Sequence, residues 1–274
     1  MELKQLGKTS VMVPEVGLGV WRYGGGVEPL RIGVEQGASL IDTAEVYGTE
    51  GVVGKAVRSI RDRVFIATKV SGQHLRYDEV LRAAEASLNR LEVSYVDLYQ
   101  IHWPNSLVPI QETMRAMEGL VDRGLVRFIG VSNFSVAELR AAQAAMKKYP
   151  IVANQVLYNL HRRDIEADLL PYCQTNGITV IAFTPLDSGR LARNTGHSST
   201  SKAMKALETL AHRLRKTLAQ TAINWCTSHP GVIAIPKSDK AARVIENCGA
   251  SGWRLTEDQV NLLDNAFMAE PNDD

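Results

Sequence analysis

Four polar side chains of complementary chemistry each stand where an apolar run gives out. Asp42 closes Ser39-Leu40-Ile41-Asp42 and Tyr47 follows shortly after it; Lys69 follows Phe65-Ile66-Ala67-Thr68, and His102 follows Leu98-Tyr99-Gln100-Ile101. An ammonium beside a phenol stabilises phenolate and lowers the phenol's pKa, a carboxylate orients the ammonium, and an imidazole holds a substrate oxygen or relays its proton. Gathered in one pocket, these groups would make a proton-transfer site in which tyrosine, ordinarily a reluctant donor with a pKa of about 10, becomes a usable general acid. Taken singly, each has a plainer reading. Asp42 would cap a turn, Lys69 would be a solvated strand-end charge, Tyr47 an amphipathic aromatic and His102 a strand terminator.

Whether they meet depends on the elements that carry them. Short β-type runs at 16–19, 39–42, 64–68, 95–102, 126–131, 152–156, 178–183 and 232–235 alternate with helix-period segments. Most of the runs lack polar alternation, as parallel strands covered on both faces do. Val80, Ala84, Leu88 and Leu91 recur at helical spacing, as do Ile110, Met114, Met117 and Val121. Ser135 with Glu138 and Thr256 with Gln259 read as capping boxes, and Gly124 and Gly177 as residues just past helix ends. Eight strand–helix repeats predict an α/β fold, a (β/α)₈ TIM barrel whose strand ends converge on one rim; an open doubly wound sheet fits the eightfold count less well. Outside the repeat, 3–13 reads as an N-terminal β-hairpin able to plug the barrel floor. A polar, Ser-rich loop is expected at 190–201, an extra C-terminal helix through about Phe267, and a frayed tail over 268–274. No linker divides the chain, so 1–274 is expected to be one domain.

Bulk properties exclude several classes. The 274 residues are 45% hydrophobic and 22% charged, and 31 basic against 30 acidic side chains leave a formal charge of +1. That balance carries no electrostatic footprint for nucleic acid or anionic lipid. Cys173, Cys226 and Cys248 are scattered, so neither a disulfide framework nor a thiolate metal site is expected. No secretory h-region and no membrane-length apolar run occur, which makes the cytoplasm the expected compartment and a membrane partner unexpected.

Other rim positions suggest what the four groups act with. Ser132 and Asn133 follow the fifth run and Gln155 closes the sixth. A hydroxyl and neutral amides suit a planar carboxamide such as that of nicotinamide, although each could merely cap a turn. Phe183 ends the seventh run, either as a ring stacked on a flat heterocycle or as a core phenylalanine. After the eighth, Lys237 and Ser238 at a helix start with Arg243 nearby combine charge and N–H donors into a phosphate site; the plainer alternative is a solvated basic face.

The motifs in order resemble those of the aldo-keto reductases along nearly the whole chain. They are Gly33 with Leu40-Ile41-Asp42-Thr43-Ala44 and Tyr47-Gly48; Leu98-Tyr99-Gln100-Ile101-His102-Trp103-Pro104; Ile129-Gly130-Val131-Ser132-Asn133-Phe134; Asn154-Gln155 with Tyr158; and Ile235-Pro236-Lys237-Ser238 with Arg243, Glu246 and Asn247. The resemblance implies a catalytic tetrad of Asp42, Tyr47, Lys69 and His102 and an extended NADP(H) across the barrel mouth. Ser132, Asn133 and Gln155 then hold the carboxamide. Leu186 and Ser188 contact the pyrophosphate, Lys237, Ser238 and Arg243 take the 2′-phosphate, and Glu246 and Asn247 meet the adenine. Phe183 departs from the family's usual Tyr or Trp, which keeps stacking and loses a hydrogen bond. The C-terminal end is short for the family, leaving Trp21, Tyr47 and Trp103 as substrate walls in an open site. The expected activity is NADPH-dependent reduction of an aldehyde or ketone by a monomer or weak homo-oligomer. A redox-sensing NADP(H)-binding ancillary subunit and a Schiff-base aldolase using Lys69 are the alternatives.

Overall fold

The structure, a computed structural model, describes residues 1–193 and 201–269. Strands β1 (Leu3–Gln5) and β2 (Met12–Pro14) pair antiparallel as the expected hairpin. The barrel strands are β3 (Leu18–Gly19), β4 (Leu40–Asp42), β5 (Phe65–Val70), β6 (Val96–Ile101), β7 (Val126–Ser132), β8 (Ile151–Leu157), β9 (Thr179–Phe183) and β10 (Val232–Ile235). They pair in parallel in sequence order. The sheet closes where Val16 bridges Ala234 and Gly19 bridges Lys237. At that seam a Cβ on Gly19 would lie 2.7 Å from the Ile235 carbonyl oxygen, so only glycine lets first and last strands approach.

Helices α1 (Glu28–Glu35), α2 (Glu50–Val57), α3 (Tyr77–Leu91), α4 (Ile110–Asp122) and α5 (Val136–Ala145) cover the first half of the barrel. Helices α6 (Leu169–Asn176), α7 (Lys202–Leu214), α8 (Leu218–Ser228), α9 (Ala241–Cys248) and α10 (Glu257–Met268) cover the second. Their inward stripes follow the period: α3 buries Val80, Ala83, Ala84, Leu88 and Leu91. Both anticipated capping boxes form, at Ser135 with Glu138 and at Thr256 with Gln259. Gly124 and Gly177 take the left-handed conformation expected of them.

Two apolar layers result. One lies between strands and helices; the other fills the barrel with Leu40, Phe65, Leu98, Ile181 and Ile233. Leu6 and Val13 of the hairpin join this inner layer, and the Gly7 amide donates to Thr179 Oγ1 at the start of β9. The hairpin therefore floors the end of the barrel opposite the rim.

Four boundaries differ from expectation. Lys69 lies inside β5, and Asn154 and Gln155 lie mid-strand because β8 continues to Leu157. The expected loop at 190–201 starts later, since Asp187–Ala192 is a 3₁₀ segment and Ser201 caps α7; residues 194–200 of it lie outside the described residues. Of the expected tail, Met268 ends α10 and residues 270–274 lie outside the described residues. No described helix is long and apolar enough to cross a membrane.

Candidate active site

Parallel register brings the four groups together. Asp42 ends β4 opposite Ala67, and two positions on, Lys69 stands opposite Gln100 of β6. His102 follows β6 directly, and Tyr47 ends the 3₁₀ turn Glu45–Tyr47 after β4. Lys69 Nζ donates to Asp42 Oδ1 at 2.6 Å and to the Thr43 carbonyl at 2.9 Å, and its third contact is the Tyr47 hydroxyl at 3.5 Å. That hydroxyl is 3.3 Å from His102 Nε2.

The Asp42–Lys69 pair is almost wholly removed from water, with side-chain exposures of 3% and 0%. A buried pair is tolerable only when its remaining lone pairs and protons are also matched. Here they are: Asp42 Oδ2 accepts from Gln155 Nε2 at 2.7 Å and from Gln100 Nε2 at 3.2 Å. Burial holds the Lys69 ammonium below the usual lysine range, and the charge and hydrogen bond of Asp42 offset part of that lowering. With acceptors for all three N–H groups, the ion pair is the state at neutral pH.

The electrostatics correct one expectation. Tyr47 is not acidified: burial first, and the Asp42 charge second, push its phenol well above the usual tyrosine value. Burial, and then the Lys69 charge, lower His102 from 6.5 to about 3, leaving a neutral imidazole. Its Nδ1 is buried without a partner, so the tautomer protonated at Nε2 strands an acceptor and not a donor. The resting site is thus a protonated phenol flanked by an ammonium and a neutral imidazole.

Beside it, Asn133 adopts a left-handed conformation and gives its amide N–H groups to the His102 carbonyl (3.0 Å) and Ser132 Oγ (3.1 Å). Ser132 Oγ in turn donates to the Gln155 carbonyl at 2.8 Å. Trp103 tilts against His102 with ring centroids 4.4 Å apart, and Trp21 at the rim is 51% exposed. Phe183 is half-buried at the end of β9. The loop behind it holds Thr184, Asp187 and Ser188 at positive φ, an unusual run of non-glycine residues. Asp187 Oδ2 steadies it by accepting from His161 Nδ1 at 2.8 Å and Arg190 Nε at 2.5 Å. Leu186 is partly buried there and Ser188 exposed. Lys237 and Arg243, expected as the charges of a phosphate site, each hold an acid: Asp239 and Glu246, both at 2.5 Å. Ser238 Oγ accepts from the Lys240 amide at 3.2 Å, and Asn247 is buried.

Sequence reasoning missed Gln100, Asp187 and Asp239. A glutamine inside the run Leu98-Tyr99-Gln100-Ile101 was the available signal, because a buried amide requires a partner.

Barrel, rim and quartet together define an oxidoreductase of the aldo/keto reductase family, to which the chain belongs: the model of that family matches residues 15–267. Among its relatives, the methylglyoxal reductase YeaE of Escherichia coli is 37% identical over 94% of this chain and 93% of its own length. A thermostable aldo-keto reductase solved with the inhibitor epalrestat superposes with a TM-score of 0.90 at 39% identity, covering 97% of this chain and 100% of that one. An aldo-keto reductase from Klebsiella pneumoniae, solved with NADPH, gives 0.89 at 36% identity over 100% and 98% of the two chains.

Proposed function

We propose that this protein reduces small aldehydes and ketones with NADPH, Tyr47 delivering the proton to the carbonyl oxygen. The observation that carries this reading is the contact chain Asp42–Lys69–Tyr47–His102, in which one neutral phenol faces the rim between an ammonium and an imidazole.

The rim residues suit the nicotinamide. Gln155 has given N–H to Asp42 and Asn133 has given both of its own, so two amide oxygens are left to accept from a carboxamide NH₂. The Ser132 hydroxyl is the donor that would turn to the carboxamide oxygen, and Phe183 offers a ring to stack. Leu186 and Ser188 would meet the pyrophosphate, Lys237, Ser238 and Arg243 the 2′-phosphate, and Glu246 and Asn247 the adenine. When bound, the cofactor supplies the hydrogen and electron pair that go to the carbonyl carbon.

The chain's own residues handle the oxygen. His102 Nε2–H and the Tyr47 hydroxyl hold it as negative charge grows there. A forming alkoxide is a stronger base than phenolate, so the Tyr47 proton moves to it even from a phenol of raised pKa. Lys69 stabilises the phenolate left behind, an interaction stronger in the transition state than in the ground state. Trp21 and Trp103 wall the carbonyl's substituents, and the relative named for methylglyoxal makes 2-oxoaldehydes the first substrates to try. A Schiff base at Lys69 would need a free amine, whereas this one is an ammonium with all three N–H groups directed at acceptors.

Tyr47→Phe tests the assignment. It should bind NADPH with wild-type affinity, followed by cofactor fluorescence, and lose turnover by about 10²-fold or more. Turnover near wild type in that variant ends the proton-donor role.

A further inference from the structure

The residues read as the 2′-phosphate cradle carry an anion in their midst. Asp239 Oδ2 holds Lys237 Nζ at 2.5 Å, and the same carboxylate's Oδ1 accepts the Gly24 amide at 2.8 Å, across the seam in the segment after β3. That segment is Gly24-Gly25-Gly26, three residues beyond the rim indole of Trp21. It lies so close that a Cβ on Gly25 would come within 2.6 Å of the Asp239 carbonyl oxygen and 2.7 Å of the Tyr23 hydroxyl. Tyr23 donates to the Gly26 carbonyl at 2.8 Å and completes the turn. Partial burial raises the Asp239 carboxyl, but Lys237 and the amides of Gly24 and Gly25 bring it below the usual range, so it is ionised at neutral pH.

We propose that Asp239 is a specificity-determining residue: an internal anion that occupies Lys237 until a 2′-phosphate displaces it, while it pins the glycine turn to the cofactor rim. The inference rests on the NADP(H) reading above. A phosphate monoester brings a charge of about −1.5 to −2. It must take Lys237 from a carboxylate and then remain beside that carboxylate. NADH lacks the group and meets neither cost. Asp239 thus narrows the preference for NADPH that Lys237 and Arg243 create, and supplies Lys237 with a counter-charge in the free protein, as Glu246 does for Arg243. The Lys237 and Asp239 side chains are 32% and 43% exposed, so solvent screens the effect to a modest size that shrinks further with salt.

Asp239→Asn keeps an oxygen for the Gly24 amide and removes the charge. Fluorescence titration at low ionic strength should show NADPH binding about three- to tenfold tighter, NADH unchanged, and the gain reduced in 0.5 M salt, about a Debye length of 4 Å. Asp239→Ala should show the same gain and, in addition, faster hydrogen exchange at the Gly24 amide; it also serves if the Asn variant fails to fold. An unchanged or lowered ratio of NADPH to NADH affinity in both variants overturns the proposal. Arg243→Ala separates the two levels of argument. If that variant loses NADPH and NADH equally, the 2′-phosphate reading itself is wrong. If it loses NADPH selectively while neither Asp239 variant gains, only the competition is wrong.

Discussion

Replacing Lys69 with methionine, which is similar in length and uncharged, should cost both stability and chemistry, and the two losses can be separated. The substitution leaves the Asp42 carboxylate at 3% side-chain exposure with two glutamine N–H groups and no counter-charge. Breaking a buried pair from one side costs about 3–5 kcal/mol, a large part of the roughly 5–15 kcal/mol that holds a domain folded. At about 2 °C per kcal/mol for a chain of this size, the melting midpoint should fall by roughly 6–10 °C. The double variant Asp42→Asn with Lys69→Met removes the stranded charge and keeps an acceptor for Gln100 and Gln155, so it should regain most of that loss. Turnover should be absent from both, because neither has an ammonium to stabilise the Tyr47 phenolate. Thermal melts and single-turnover NADPH oxidation on the three proteins test this. A single variant that melts with wild type, or a double variant no more stable than the single, would refute the argument that the pair's members depend on each other. Retained turnover in either would remove Lys69 from the chemistry.

Two further outcomes follow from the same geometry. Because folding lowers the His102 pKa from 6.5 to about 3, the unfolded chain binds a proton in that window that the folded chain refuses. The contribution is fully present above pH 6.5 and is lost as pH falls toward 3. Urea midpoints should therefore drop less between pH 7 and pH 4.5 in His102→Gln than in wild type, and equal drops would contradict the assignment. A Cβ on Gly72 would lie 2.2 Å from the Trp103 indole, so Gly72→Ala must displace that ring. The expected result is a raised KM for small carbonyls with NADPH affinity unchanged; a change in both would mean the strain spreads beyond the substrate wall.

The quartet was legible because Asp42, Lys69 and His102 stand within a residue of the rim ends of three successive strands, with Tyr47 in the turn after the first, a property of strand polarity that an apolar run announces. What one sequence could not convey was rank order among neighbours. Lys69, Asp42 and Tyr47 were readable as companions, but how deeply the phenol is buried was not, and that burial, with the Asp42 charge second, reverses the expected shift on Tyr47. The partners of Lys237 and Arg243, Asp239 and Glu246, were likewise visible as residues and invisible as contacts. Strand ends were legible to within a residue or two, the seam included. There the run at 16–19 yields only Leu18–Gly19 as a regular strand, with single bridges made by Val16 and Gly19. Gln100 escaped notice because its partner lies across two strands, a relation set by the stagger of the barrel and not by local pattern. The run of left-handed residues around Asp187 has no glycine to announce it until Gly189.

The hairpin floor has a consequence for proton supply. Leu6 and Val13 stopper one end of the barrel, and beneath Lys69 the bore is filled by Leu40, Phe65 and Leu98. If Tyr47 is the proton donor proposed above, its proton would be replaced through the same opening by which reactants enter. On the proposed mechanism, a Tyr47 that has given up its proton while that opening is occupied would reload only after the product leaves.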